Sequence, residues 1–295
     1  MATTPAGLPL RTLGKTGEKV PVFGLGTGEA GMGLAQKEAL ELYNNAIDLG
    51  VTYLDTAPAY DKAQEQLCHV LKERRNEVMV ATKVGASNGE KFLEGLHENL
   101  KVLGTDFVDI AFIHSVGSQD IDELLSSSGS LEALFKAKRR GMARYIGFTA
   151  HNHPASAERI LGRTDALDVV MFAMNFLDRH VYNFENRVLP LAIEQNLGVA
   201  AMKVYGGTVD MDYTKPVESA LSGKIGYDHQ LAFRYSLGLA GVALSVIGVY
   251  SISELKENIR WATDFVPLAA EEDARLAKDA QKALPQWGER FGPVE

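Results

Sequence analysis

The sequence predicts an α/β fold, specifically a closed (β/α)8 TIM barrel, on three observations. Eight short apolar runs are typical of buried strands, and amphipathic stretches with helical spacing lie between them. Strict alternation of strand and helix favours parallel strands joined by crossover helices. Eight such units in 295 residues match the size of a closed barrel. We therefore expect functional groups at the carboxyl ends of the strands, where such barrels carry their active sites.

The predicted elements follow in order along the chain after a hairpin-like opening. The strands are predicted at Val22–Gly26, Thr52–Asp55, Val78–Lys83, Phe107–His114, Ala143–Thr149, Val169–Asn175, Val199–Lys203 and Leu244–Val249. The helices are predicted at Ala35–Leu49, Gln64–Lys72, Lys91–Leu103, Leu131–Arg140, Ala155–Leu161, Glu185–Gln195, His229–Leu239 and Ser253–Thr263. Because no low-complexity segment or composition break interrupts them, we expect residues 1–295 to form a single domain.

Composition narrows the class of protein and its partners. The net charge of −8 argues against a nucleic-acid partner, which would require clustered Lys and Arg. A single cysteine, Cys68, excludes an intramolecular disulfide and fits a reducing compartment. The longest apolar run, Leu237–Val249, is shorter than the roughly 20 residues of a membrane span. We expect a cytoplasmic protein that binds neither nucleic acid nor membrane.

Ionisable residues end three consecutive predicted strands. They are Asp55, Lys83 and His114, and Tyr60 follows Asp55 in the adjoining loop. Each has an ordinary structural explanation by itself, as a turn cap, a lysine at a strand end, a core histidine or surface packing. Four such residues at one rim of a barrel instead predict a catalytic site.

The chemistry of carbonyl reduction explains why these residue types belong together. The reaction needs a hydride donor and an acid that protonates the forming alkoxide. Tyr60 is a weak acid, but a nearby Lys83 ammonium would favour its phenolate, and Asp55 would hold that ammonium charged. His114 would donate a hydrogen bond to the carbonyl oxygen, where negative charge grows.

Three segments carry a resemblance to one family. They are Gly-Val-Thr-Tyr-Leu-Asp-Thr-Ala-Pro-Ala-Tyr (50–60), Val-Ala-Thr-Lys (80–83) and Phe-Ile-His (112–114). These segments resemble the motifs of the aldo-keto reductases. The resemblance implies a catalytic tetrad of Asp55, Tyr60, Lys83 and His114, with NAD(P)H extended across the barrel mouth. It also implies that the hairpin at residues 13–17 closes the bottom of the barrel.

The resemblance further implies a set of cofactor contacts, with NADP(H) as the cofactor and NAD(H) as the alternative. The implied cofactor-binding residues are Gly26, Thr27, Gly28, Asp55, Thr149, Asn152, Met171, Met202, Lys203, Gly248, Val249, Glu254, Glu257 and Asn258. Ala150, Met171 and Met202 depart from the family, which usually has two amides and an aromatic at these positions. Gly248 and Glu254 stand where many NADP-preferring members place Lys and Arg.

The segment Ala-Met-Lys (201–203) resembles a bacterial branch of the family, some of whose members carry a cysteine-rich cluster domain that this chain lacks. We therefore expect an NAD(P)H-dependent oxidoreductase that reduces an aldehyde or ketone with a proton from Tyr60. The expected partner is a small carbonyl substrate, with no metal, and the protein is expected to be a monomer or small homo-oligomer. The alternative is a cofactor-binding regulatory barrel with slow turnover.

Other enzyme classes fit parts of the sequence. The spacing Gly26-x-Gly28-x-x-Gly31 resembles a Rossmann fingerprint, but the helical pattern begins only near Ala35. His151 and His153 suggest a metal-dependent hydrolase, which would need further converging ligands. Lys83 would serve as a Schiff-base lysine if its pKa were depressed.

Near the C-terminus, Trp287 and Phe291 either line a pocket or pack on the barrel.

Overall fold

A computed structural model describes residues 2–295, and in it eight parallel strands close into a barrel. The prediction of a (β/α)8 barrel is confirmed. The strands are β1 (Leu10–Thr12), β2 (Lys19–Pro21), β3 (Phe23–Gly26), β4 (Tyr53–Asp55), β5 (Met79–Val84), β6 (Val108–Ile113), β7 (Ala143–Ala150), β8 (Val169–Ala173), β9 (Gly198–Met202) and β10 (Val242–Gly248). Strands β1 and β2 form a separate antiparallel hairpin, and β3 to β10 form the barrel, with β10 pairing with β3.

Strand register brings the ends of neighbouring strands to one rim. Gly26 pairs with Asp55, Asp55 pairs with Ala81, and Lys83 pairs with Phe112. The strands are buried along nearly their whole length, as expected when a parallel sheet is covered on both faces. Their last residues and the following loops therefore form the polar mouth of the barrel.

Helices separate the strands at nearly all the predicted positions. They are α1 (Gly28–Gly33), α2 (Gln36–Asp48), α3 (Ala63–Arg74), α4 (Gly89–Leu103), α5 (Ile121–Leu124), α6 (Ser130–Arg139), α7 (Pro154–Arg163), α8 (Phe184–Arg187), α9 (Leu189–Glu194), α10 (Ala220–Ile225), α11 (His229–Gly238), α12 (Ile252–Thr263) and α13 (Ala270–Trp287). Among residues 2–295, no helix combines the length and the apolar character that a membrane span requires.

Two helical predictions were wrong in detail. The predicted helix Glu185–Gln195 is divided into α8 and α9, because Pro190 lacks an N–H group and its ring clashes with a preceding helical turn. Helical structure also begins at Gly28, directly after β3, and not near Ala35. The position of the first helix is therefore no argument against a Rossmann domain. The closed barrel, however, is incompatible with one.

The hairpin β1–β2 closes the amino-terminal end of the barrel, as the family resemblance implies. Leu13 and Val20 are buried in a cluster with barrel-interior side chains such as Tyr53 and Ile110. At the start of β9, a Cβ atom at Gly198 would lie 2.5 Å from the Leu13 side chain. The glycine therefore allows the hairpin to approach the strand closely.

The segment after the last barrel helix folds into α13, which has 18 residues and was not predicted. Trp287 at its end is 2% exposed, and its Nε1 donates a hydrogen bond to Asp178 Oδ1 at 2.7 Å. Trp287 therefore packs on the barrel. Burial raises the pKa of Asp178 to about 6, although the hydrogen bonds from Trp287 and Asn175 oppose the rise.

We expect Trp287→Phe to lower the free energy of unfolding by about 2–4 kcal/mol, because it removes buried contacts and leaves a buried carboxyl oxygen without its donor. Trp261→Phe is the matched control, since the Trp261 indole nitrogen makes no hydrogen bond within residues 2–295. Urea unfolding of both variants measures the difference. Equal losses would show that the Asp178 hydrogen bond contributes nothing.

Candidate active site

A cleft of about 600 Å³ opens at the carboxyl ends of the barrel strands. Its wall includes Asp55 and Tyr60 on one side and residues of the loop after β9, such as Lys203 and Tyr213, on the other. The ends of β3 and β10 contribute backbone at Gly26 and Gly248. A concave site of this size at the carboxyl face is where a barrel of this kind binds its ligand.

The structure brings the four residues of the predicted tetrad together, and two of them, Asp55 and Tyr60, line this cleft. Lys83 is 1% exposed, and its Nζ donates to Asp55 Oδ1 and, at 3.0 Å, to the Thr56 carbonyl oxygen. The same Nζ lies 3.3 Å from Tyr60 Oη. The His114 ring stands edge-on to Tyr60 with centroids 6.3 Å apart. The arrangement is a buried ion pair with a phenol and an imidazole beside it.

Burial dominates the electrostatics of this group. It raises the pKa of Asp55 and lowers the pKa of Lys83, and the attraction between the two opposes both shifts. It also lowers the pKa of His114 to about 3, with Lys83 and Lys203 acting in the same direction. His114 is therefore a neutral imidazole at physiological pH.

Tyr60 departs from the expectation that a nearby ammonium favours its phenolate. Burial raises the pKa of Tyr60 well above its usual value, Asp55 raises it further, and Lys203 is the cation that opposes the rise. Desolvation disfavours a buried anion, and its effect on Tyr60 is larger than that of any nearby cation. Tyr60 is consequently a phenol that keeps its proton.

Lys203 is a central feature of the opposite wall. It follows β9 directly with a φ angle of 54°, and its Nζ lies 2.8 Å from Tyr213 Oη. Although burial opposes it, Tyr213 and Glu29 raise the pKa of Lys203, so this lysine is charged. A left-handed backbone at a lysine is uncommon and directs the chain away from the strand into the loop that covers the cleft.

Glu29 also lines the cleft, and the sequence analysis missed it. Burial raises its pKa, and Lys203 lowers it. A Cβ atom placed on Gly248 would lie 1.5 Å from Glu29 Oε2, so Gly248 leaves the space in which this carboxylate lies. Because α1 is short and rich in glycine, the sequence carried no helical pattern that could have placed Glu29 beside β10.

Most residues implied as cofactor contacts do line the cleft. They are Gly26, Gly28, Asp55, Met171, Met202, Lys203, Gly248, Val249, Glu254, Glu257 and Asn258. The cleft also includes Tyr205, His229 and Trp261, which the sequence analysis did not assign. These aromatic rings come from three separated segments, so no local pattern could have grouped them.

Three of the implied contacts lie outside the cleft wall. Thr27 Oγ1 donates to the Asp55 carbonyl oxygen at 3.0 Å, and Thr149 Oγ1 accepts from Ser115 N at 2.9 Å. Asn152 Nδ2 donates to the Pro293 carbonyl oxygen at 3.2 Å. Each of these three side chains forms a hydrogen bond with the backbone of another segment. Asn175, the nearest amide in the next unit, is buried and bonded to Asp178.

Carboxylates mark the end of the cleft near α12. Glu254 Oε2 accepts from Tyr250 N at 2.8 Å, and Glu257 lies 3.5 Å from Arg260. Asn258 accepts from Tyr205 Oη at 2.6 Å and donates to the Glu254 carbonyl oxygen at 2.8 Å. Lys203 is the only Lys or Arg among the lining residues that the structure describes. The cleft therefore has several carboxylates and a single cation in its wall.

The histidines after β7 have partners within the protein. His151 Nδ1 lies 2.9 Å from Ser115 Oγ, and His153 Nδ1 lies 3.0 Å from Ser156 Oγ. Within residues 2–295, no group of three or more His, Cys, Asp or Glu side chains is arranged to hold a metal ion.

This chain is similar in sequence to one protein family and to a plant dehydrogenase. The sequence model of the Aldo/keto reductase family matches residues 22–219. L-galactose dehydrogenase of Arabidopsis thaliana is 24% identical, and the match covers 90% of this chain and 92% of that protein.

Solved structures extend the comparison to the fold. An aldo-keto reductase of Bacillus halodurans in its holo form is 25% identical with a TM-score of 0.73, covering 93% of this chain and 96% of that one. An aldo/keto reductase of Klebsiella pneumoniae in complex with NADP and acetate shares the fold at 22% identity and a TM-score of 0.73, covering 95% of this chain and 98% of that one. The chain therefore belongs to the aldo/keto reductase family.

Proposed function

We propose that this protein is an NAD(P)H-dependent oxidoreductase that reduces an aldehyde or ketone to an alcohol, with residues 1–295 acting as one catalytic domain. The observation that carries the proposal is the contact of Lys83 Nζ with both Asp55 and Tyr60 at a cleft in the barrel mouth. Family membership supports the same reaction class.

The residues of the cleft fit a nicotinamide dinucleotide, which would supply the hydride when bound. The cleft volume of about 600 Å³ suits a ligand of that class. The charged Lys203 ammonium would hold the pyrophosphate, and Glu257 and Asn258 would face the adenine end. Gly26 and Gly28 present backbone without side chains along the floor, which lets a ligand approach closely.

NADP(H) is proposed as the cofactor because it is the family's usual partner, and the Klebsiella pneumoniae relative is described with NADP. Glu254 lines the cleft, and a carboxylate beside the additional 2′-phosphate would weaken its binding, since a phosphate dianion prefers cationic donors. NAD(H) is therefore the second candidate.

The proposed mechanism assigns a separate task to each residue of the tetrad. Tyr60 keeps its proton because burial raises its pKa, and it donates that proton to the alkoxide as it forms. Lys83, 3.3 Å from Tyr60 Oη, stabilises the phenolate left behind, and Asp55 holds Lys83 in place. The neutral His114 donates a hydrogen bond to the carbonyl oxygen, where charge develops.

We expect Tyr60→Phe to reduce kcat by at least about 100-fold while leaving the Kd for NADPH nearly unchanged, because it removes the proton donor and little else. Tyr53→Phe is the matched control, since the buried Tyr53 hydroxyl has no hydrogen-bond partner among residues 2–295. Steady-state NADPH oxidation with a panel of aldehydes, together with fluorescence titration, measures both quantities. Near wild-type turnover in Tyr60→Phe would refute the role given to Tyr60.

The pH profile follows from the pKa of about 3 at His114. Because this pKa lies far below the ordinary histidine value, His114 stays neutral as the pH falls through about 6.5, and kcat/KM should show no loss there. In the unfolded chain His114 takes up a proton near pH 6.5, whereas in the folded protein it does not, so the free energy of unfolding declines below that pH. Unfolding is therefore measured at each pH of the profile. A fall in kcat/KM as the pH drops through about 6.5 would contradict the neutral state assigned to His114.

We expect Glu254→Arg to shift the ratio of the Kd values for NADPH and NADH toward NADPH by about tenfold, because a guanidinium replaces a carboxylate near the 2′-phosphate. Glu65→Arg makes the same charge change on the exposed face of α3, away from the cleft, and serves as the control. Fluorescence titration with each cofactor gives the ratio. No difference between the two variants would count against a 2′-phosphate site at Glu254.

A further inference from the structure

His151 lies in the catalytic cleft, but the proposed mechanism does not use it. It follows β7 directly, as His114 follows β6, and the two imidazole rings lie 6.2 Å apart between centroids. The side chain lines the same cleft as Asp55 and Tyr60. His151 therefore faces the region in which a substrate carbonyl would meet Tyr60 and His114.

The orientation of the His151 ring is held from two sides. Its Nδ1 lies 2.9 Å from Ser115 Oγ, and its ring packs against Phe291 with centroids 5.8 Å apart. Ser115 is itself anchored, because its N–H donates to Thr149 Oγ1 and its φ angle is 51°. With Nδ1 occupied, Nε2 is the ring nitrogen left without a hydrogen-bond partner among the described residues.

The unpartnered nitrogen indicates what kind of group belongs beside it. Burial, together with Lys203, His114 and Lys83, lowers the pKa of His151, so the ring is neutral. If Ser115 Oγ donates to Nδ1, then Nε2 carries the proton and donates, and in the other tautomer Nε2 accepts. A hydroxyl group satisfies either tautomer because it both donates and accepts, whereas an alkyl group satisfies neither.

The spacing of the two histidines relates this hydroxyl to the reacting carbonyl. In the proposed mechanism His114 contacts the carbonyl oxygen, and a ring whose centroid lies 6.2 Å away is within reach of an oxygen on the adjacent carbon. We propose that His151 is a specificity-determining residue that binds the hydroxyl group next to the reacting carbonyl, so that the substrates are α-hydroxy aldehydes and ketones. This inference rests on the proposed carbonyl reductase function.

A substrate without that hydroxyl is disfavoured on physical grounds. An alkyl group in its place would take Nε2 out of water without a partner, and leaving a buried polar group unpaired costs more than a hydrogen bond contributes. Sites built to bond a substrate hydroxyl discriminate against analogues that lack it for this reason.

Glycolaldehyde and propanal test the proposal, because they differ only by a hydroxyl in place of a methyl group. We expect His151→Phe to lower the ratio of kcat/KM for glycolaldehyde over propanal by roughly three- to tenfold, the range of one hydrogen bond. His151→Gln, whose amide reaches a position similar to Nε2, should restore part of the ratio. His153→Asn is the control, since His153 bonds Ser156 and does not line the cleft, and asparagine tolerates its φ angle of 51°.

The possible outcomes are distinct. Equal losses with both aldehydes in His151→Phe would overturn the proposal, because they would indicate a structural role only. A weakened Kd for NADPH in His151→Phe would also overturn it, because it would place His151 against the cofactor. If the wild-type protein reduces other aldehydes but not glycolaldehyde, this inference alone fails. If it binds NADPH but reduces no aldehyde or ketone, the proposed function fails, and this inference fails with it.

Discussion

The buried ion pair of Lys83 and Asp55 is the interaction on which the candidate active site depends. Two charges removed from water are tolerated only when they pair and find further hydrogen bonds, and Lys83 has both Asp55 and the Thr56 carbonyl oxygen. The barrel supplies the geometry, because β4 and β5 are hydrogen-bonded neighbours that end at the same rim. The pair in turn fixes the ammonium beside Tyr60 Oη, and the assignment of Tyr60 as the proton donor depends on that position.

The low polarity around the ion pair also explains the protonation states of the neighbouring side chains. Burial keeps the proton on Tyr60 and keeps protons off His114 and His151, so the site has a phenol and two neutral imidazoles. Each can donate a hydrogen bond without carrying charge of its own. Positive charge instead enters the cleft from the opposite wall through Lys203, which acts on the pKa of nearly every group in the site.

The wall formed by α1, β10 and α12 carries acidic side chains instead of basic ones. Glu29 lies where any side chain at Gly248 would have to be, and Glu254 is bonded to the backbone of Tyr250. A cation at Gly248 would require Glu29 to move, so these two positions are linked by packing. Lys203 thus supplies the positive charge in the cleft wall, while the end of the cleft near α12 is lined by Glu254 and Glu257.

The sequence by itself determined the barrel and predicted which four residues would lie together at its rim, because both depend on local patterns. Apolar runs and helical stripes mark each unit, and strand ends mark Asp55, Lys83 and His114. Only the tertiary structure decided the rest. It placed Glu29 against Gly248, bonded Thr149 and Asn152 to neighbouring segments, and brought His151 next to His114. The pKa of Tyr60 likewise depended on burial. Contacts between distant segments and desolvation are properties of the packed molecule, and no spacing along the chain records them.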